Sequence, residues 1–177
     1  WGSRDTVYEN GRGESFTIYH RGGINTESVL DWVKNKFHSP DKILVTGCSA
    51  GSYGSIYWMP AFRDAFPSAK FVQLGDSGAG VVTQDFLRIA NEKWGYIEKA
   101  PRWIPGLSTQ WENLKLIDLY KKISNFYPYD RTAQINYAFD DVQTFFYEIM
   151  GGDPSLWAEK MKNSMKNMKD IPNFSYY

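Results

Sequence analysis

The sequence predicts an α/β protein, a mostly parallel sheet flanked by helices and built as a single domain. Three observations carry this expectation. A short apolar run, Ile43-Leu44-Val45, leads into Gly47-Cys48-Ser49-Ala50-Gly51 and then into a helical pattern that reaches Phe66. A second run, Lys70–Leu74, ends in the glycine-rich turn Asp76-Ser77-Gly78-Ala79-Gly80. A third, Asp130–Ala138, alternates at Thr132, Gln134 and Asn136 and is followed by a helix opening at Asp140-Asp141. Strand, helix, strand at this spacing is a right-handed crossover between parallel strands. Sites in such sheets gather at the carboxyl ends of the strands, where Ser49 and Asp76 both fall.

The remaining elements follow in chain order. Residues 1–14 are polar and glycine-containing and read as a loop. Ser15–Tyr19 alternates and reads as a short strand. After the turn His20–Gly23, Asn25 or Thr26 can cap a helix over 26–37, with Val29, Leu30, Trp32, Val33 and Phe37 as its apolar face. Pro60 should kink or split the helix after Ser49, and Pro67 closes it. Gln84–Trp94 reads as a helix. Residues 95–113, with two prolines, Trp103 and Trp111, read as an irregular or lid-like insertion whose tryptophans either line a cleft or pin it to the core. Helices at Leu114–Phe126, 140–150 and Ser155–Met168 and a final strand at Asn173–Tyr177 complete the chain. No repeat or linker divides it, so residues 1–177 read as one domain. Both ends look cut, which makes the expected domain part of a longer one.

Composition narrows the function classes. The 177 residues are 42% hydrophobic and 23% charged, ordinary for a globular protein with a real core. Aromatic residues reach 17%, so the core or a groove must be ring-rich. Net charge is zero with no basic block, which argues against a nucleic-acid partner. No run approaches the ~18 apolar residues of a membrane span. Cys48 is the single cysteine, so no disulfide framework or cysteine-based zinc site exists within the chain. Asp140-Asp141 lack a histidine or further clustered carboxylates, so neither a metal nor a cofactor is expected.

The chemistry centres on Gly47-x-Ser49-x-Gly51. Small residues around a serine allow a strained strand-to-helix turn that pushes the hydroxyl into the open. The helix that follows adds N–H groups and positive dipole beside it. The same residues also fill ordinary strand-to-helix turns, so the pattern alone leaves catalysis and plain turn geometry open. Asp140 and Asp76, each just past a strand, are candidate acids. Asp141 is a rival to Asp140, though it suits an outward place in the first helical turn. Cys48 suits buried packing under the turn better than a reactive thiol. Asn173-Phe174-Ser175 is a glycosylation tripeptide of a kind common by chance.

These residues resemble the pectin acetylesterase family, which also contains the carboxylesterase Notum. The resemblance rests on Gly47–Gly51, Phe62-Arg63, Asp76-Ser77-Gly78, Tyr19–Gly22 with Asn25, the Val29–Trp32 helix, and Ala138-Phe139-Asp140-Asp141-Val142-Gln143. With Tyr147 and Gly151-Gly152 it runs from about residue 1 to about 152. It implies an α/β-hydrolase-like fold and a Ser-Asp-His triad. Ser49 would be the nucleophile, the Ala50 N–H an oxyanion donor and Asp140 the acid that orients the histidine. Gly47, Gly51 and Asp76 would shape the pocket, Asp76 rather than acting as the acid. It implies an ester substrate, first an O-acetyl group on a polysaccharide such as pectin and then other acyl esters, and an extracellular or extracytoplasmic location.

Departures from the family pattern matter as much. The resemblance puts the catalytic histidine beyond Tyr177 and a glycine-rich oxyanion loop before Trp1. His20 matches a family position that is not the general base, and His38 ends a surface helix. Ser52 stands where the family usually has a second glycine. These departures keep a second reading open, in which the fold serves as an inactive binding or structural subunit.

Overall fold

A computed structural model describes residues 2–107 and 114–177. Its centre is a four-stranded, wholly parallel sheet in the order β3 (Lys42–Cys48), β4 (Lys70–Asp76), β5 (Arg131–Ile135) and β6 (Phe174–Tyr176). The expected crossover joins β3 to β4 through α2 (Ala50–Ala65). Cys48 pairs with Asp76 and Asp76 with Ile135, so the three strands end level with one another. The alternation at 130–138 therefore stops being strand at Ile135, where its neighbour ends.

Residues 1–14 are not all loop. β1 (Asp5–Glu9) and β2 (Ser15–Tyr19) form an antiparallel hairpin. Its turn is organised by the Asn10 side chain, whose Oδ1 accepts from the N–H groups of Arg12 (2.9 Å) and Glu14 (3.0 Å). The hairpin also finishes α3 (Gln84–Trp94). The last carbonyls of a helix have no partner within it. Here Arg4 Nη1 donates to Glu92 O at 2.7 Å, Thr6 Oγ1 to Lys93 O, and Ser3 N to Trp94 O at 2.8 Å.

α1 (Gly22–Lys36) begins four residues earlier than expected. Neither Asn25 nor Thr26 caps it; the Thr26 hydroxyl donates to Gly22 O at 2.8 Å, within the helix. Only Leu30 and Val33 of the expected apolar face pack on the core, while Val29, Trp32 and Phe37 are exposed. Pro60 does not break α2. A proline inside a helix forfeits one hydrogen bond, at about 3 kcal/mol. The segment Ile56–Pro60 is wholly buried, and tertiary packing of this kind holds a helix together more strongly than propensity does.

The core lies between one face of the sheet and the helices α2 and α4 (Leu116–Phe126). Phe71, Thr132, Gln134 and Phe174 on the strands meet Ile56, Met59, Tyr120 and Ile123 on the helices, all buried. Each such large apolar side chain contributes about 1.5–3 kcal/mol by leaving water. The insertion is not a loose lid over its described part, because Tyr96, Ala100, Ile104 and Leu107 are all buried. Trp103 takes the pinning role, its Nε1 donating to Tyr127 Oη at 3.3 Å; Trp111 lies outside the described residues. α5 (Asp141–Ile149) follows β5. The single helix expected at 155–168 is a short 3-10 turn, Pro154–Leu156, and then α6 (Trp157–Lys166). Asp153 caps the turn through Ser155 N at 3.0 Å. Among the described residues, no helix is long and apolar enough to cross a membrane.

Candidate active site

At the carboxyl end of β3 the chain reverses into α2 through a single residue. Ser49 has φ 54° and ψ −120°. A non-glycine residue held there costs about 1–3 kcal/mol and persists only where the surroundings impose it. Two main-chain bonds impose it here: Ser49 N donates to Asp76 O at 2.8 Å, and Ser52 N donates to Ser49 O at 2.9 Å. The Ser49 hydroxyl does not cap α2, and the residue is exposed. Ala50 is the first residue of the helix, at the positive end of its dipole.

Gly47 explains why the turn can be this tight. A Cβ built on Gly47 would lie 2.2 Å from the carbonyl oxygen of Gly51, backbone against backbone. Gly51 is different, since a Cβ there meets nothing within 4 Å. Successive strand residues face opposite sides. With Gly47 directed at α2, Cys48 must point away from it, and Cys48 is indeed exposed. The expectation of a cysteine buried beneath the turn is corrected by that alternation.

The end of β4 buttresses the turn. Ser77 is the other non-glycine residue with positive φ (56°) among the described residues, and its N–H donates to Ile135 O at 2.8 Å. Its hydroxyl donates to Asp76 Oδ1 at 2.8 Å. Asp76 thus holds the elbow through its carbonyl, and its carboxylate is bound to Ser77.

Asp140 stands five residues past β5, at the same edge of the sheet as Ser49 and Asp76. It caps α5, with Oδ1 accepting from Gln143 N at 2.8 Å and Oδ2 from Gln143 Nε2 at 3.0 Å. Gln143 therefore fixes the orientation of the half-buried carboxylate from two directions. Asp141 is exposed in the first helical turn.

His20 is engaged by the hairpin, and His38 lies at the far end of β3. His20 Nε2 is paired with Tyr8 Oη at 3.0 Å, and its ring lies against Trp94 with centroids 6.0 Å apart. His38 is exposed and precedes β3, at the opposite end of a seven-residue strand from Ser49. That separates the two by roughly 20 Å at about 3.3 Å per residue. Asn173 is buried, its Nδ2 lying 2.9 Å from Ser124 O, 3.0 Å from Tyr127 O and 2.9 Å from Asp130 O.

Beside Ala50 opens a cavity of about 420 Å³ with an almost wholly apolar lining. Its walls include Tyr53, Phe86, Ala90, Trp94, Phe146 and Met150. Tyr53 Oη accepts from Gly80 N at 3.3 Å, and burial pushes its phenol up to about 12, which keeps it neutral. Thr83 ties two walls together: it caps α3 through Phe86 N and donates to Met150 O at 2.6 Å. A second, more polar cleft of about 290 Å³ shares Val82, Leu87 and Leu116 with the first and carries Lys115, Lys160 and Asn163. Sequence patterning did not reveal either space, because their walls come from segments up to a hundred residues apart. The aromatic content was the one signal of them.

The family model described as Pectinacetylesterase matches residues 5–101 of this chain. The match takes in Gly47, Ser49, Ala50, Gly51 and Asp76 and ends before Asp140. No curated protein matches the chain.

Proposed function

The chain belongs to the pectinacetylesterase family, a family of carboxylesterases, and from that premise we propose that it is a serine esterase with Ser49 as nucleophile. The observation that carries this reading is the backbone of Ser49: a strained, exposed, non-capping serine between a parallel strand and a helix. Strain of this kind is retained where function needs it. The substrate is an O-acyl ester on a carbohydrate such as pectin. Members of the family are generally extracellular, and the same location is proposed here.

In the first step Ser49 Oγ attacks the acyl carbon and a general base takes its proton. The tetrahedral oxyanion accepts a hydrogen bond from Ala50 N–H. Collapse expels the sugar alcohol, which leaves with that proton, and the acyl group stays on Ser49. Water then attacks the acyl-enzyme by the same route and releases the carboxylic acid. Both histidines of residues 1–177 precede Ser49, so the base in this reading is the histidine that the family resemblance places after Asp140 in the chain order Ser, Asp, His. Asp140, held by Gln143, orients it and stabilises its charged form. Gly47, Gly51 and Asp76 shape and hold the elbow.

The apolar cavity beside Ala50 supports a second reading of the acyl group. Acetyl offers little apolar surface to a space of about 420 Å³ with aromatic walls, and a longer chain fills it better. The more polar cleft suits the hydroxyl-rich alcohol. A fluorophosphonate probe tests the nucleophile in the full-length protein. Wild type is expected to label and Ser49→Ala to stay unlabelled. Absent labelling of the folded protein, or equal labelling of the variant, overturns the proposal.

A further inference from the structure

Ser52 is fully buried, three residues after Ser49 in the first turn of α2. Its hydroxyl sits where four elements converge. Gln134 Nε2, from β5, donates to Ser52 Oγ at 3.1 Å. Tyr120 Oη, from α4, lies 3.3 Å from the same oxygen and donates to Ser52 O at 3.3 Å. Gln134 Nε2 also donates to Tyr120 Oη, which closes a triangle of side chains. The fourth element is the end of β4. A Cβ built on either Gly75 or Gly78 would come within 2.2 Å of Ser52 Oγ, so the hydroxyl occupies a socket that only those glycines leave open. Ser55 Oγ adds a donor to Ser52 O at 2.7 Å.

A buried hydroxyl without partners costs about 1–3 kcal/mol, whereas a satisfied network specifies one arrangement. This network reaches no reacting atom. It joins the helical turn that carries Ser49 and Ala50 to the strand that leads to Asp140. The same turn is tied to β4 through Ser49 N and Asp76 O.

We infer that Ser52 is a positioning residue for the esterase reaction. Its hydroxyl bolts the nucleophile turn to β5 and α4, so that the Ser49 hydroxyl and the Ala50 N–H keep their alignment with Asp140. The inference rests on Ser49 being the nucleophile.

The test uses the full-length protein and p-nitrophenyl acetate, with folding checked by circular dichroism. Ser52→Ala is expected to lower kcat about tenfold, with KM within about twofold, since small misplacements of reacting groups are costly. Its fluorophosphonate labelling should slow by a similar factor. Tyr120→Phe keeps the ring and removes one partner; a smaller loss of kcat in the same direction is expected. The double variant should fall no further than Ser52→Ala alone, because the two residues act through one network. A folded Ser52→Ala with kcat within twofold of wild type, or a loss confined to KM, overturns the inference. Should Ser52→Ala not fold, unchanged kcat in Tyr120→Phe overturns it. Should wild type itself fail to label at Ser49, the nucleophile assignment fails, and the role of Ser52 falls with it. Labelling of wild type and Ser52→Ala at equal rates removes the positioning role alone.

Discussion

Replacing Gly47 by alanine probes one of the tightest approaches among the described residues, and the obstacle there is main chain. The added Cβ would lie 2.2 Å from Gly51 O and 2.4 Å from Gly51 C. Ordinary contact begins at 3.4 Å, and the obstacle is backbone rather than a side-chain tip that could rotate away. The first turn of α2 must therefore shift by roughly 1 Å. Overpacking of this type costs about 1–3 kcal/mol. For a chain of this size the melting temperature should drop by roughly 2–10 °C. The effect on chemistry should be larger, since a misplacement of about 1 Å can cost about a hundredfold in rate. The assay is the second-order rate of fluorophosphonate labelling beside a thermal melt. Gly51→Ala is the control. Its Cβ meets open space, and alanine is the better helix former by about 1 kcal/mol, so its melting temperature should hold or rise. A Gly47→Ala protein that melts within about 1 °C of wild type and labels at the wild-type rate refutes the packing argument.

Other outcomes follow from the same geometry. Asp140→Asn keeps an oxygen that can cap α5 but loses the charge, so stability should hold while kcat falls at least roughly a hundredfold. Asp140→Ala should lose about 1 kcal/mol of stability as well, read by urea unfolding. In a series of p-nitrophenyl esters, butyrate should exceed acetate in kcat/KM by about fifteenfold, from two methylenes at about 0.8 kcal/mol each; a preference for acetate counts against the cavity as acyl site. Asp130 is buried, and that burial pushes its carboxyl up from the usual value, against the opposing pull of Arg63, whose Nε lies 2.8 Å away. Arg63→Ala should cost about 3 kcal/mol at neutral pH by stranding that charge. Without Arg63 the folded-state pKa of Asp130 rises further above its unfolded value, so the folded protein binds the proton more readily. Stability is then lost as pH rises through that window, so the deficit should shrink in urea titrations run at progressively more acidic pH.

What the sequence disclosed was local and periodic. The βαβ unit, the Ser49 turn and the limits of α3 follow from runs of side chains, and the structure adds the cap Thr83, which acts within three residues. Asp140 with Gln143 was legible as a motif, and the structure adds the reason, since one carboxylate takes both donors. Other features were hidden because the partner is distant. The hairpin strand β1 carries a turn signal in Asn10-Gly11, yet Thr6 is fixed by a carbonyl 87 residues away. Pro60 breaks a local rule, and the packing that overrides it comes from the sheet. Alternation along β3 says which residues share a face without saying which face is covered, so the exposure of Cys48 emerges only with α2 in place. Ser52 stands out in the sequence only as a serine at a usual glycine position, and only the fold brings Tyr120 and Gln134 to it.

The amide of Asn173 carries a consequence for producing this protein. The nitrogen that would accept a glycan is the one held among the carbonyls of Ser124, Tyr127 and Asp130. Once β6 has docked beside β5, an oligosaccharyl transferase cannot reach it. In a glycosylating host the tripeptide thus acts as a clock: sugar at Asn173 marks molecules in which β6 was still undocked when the enzyme passed. Those molecules cannot seat the strand afterwards. The fraction modified would report how fast β6 docks beside β5.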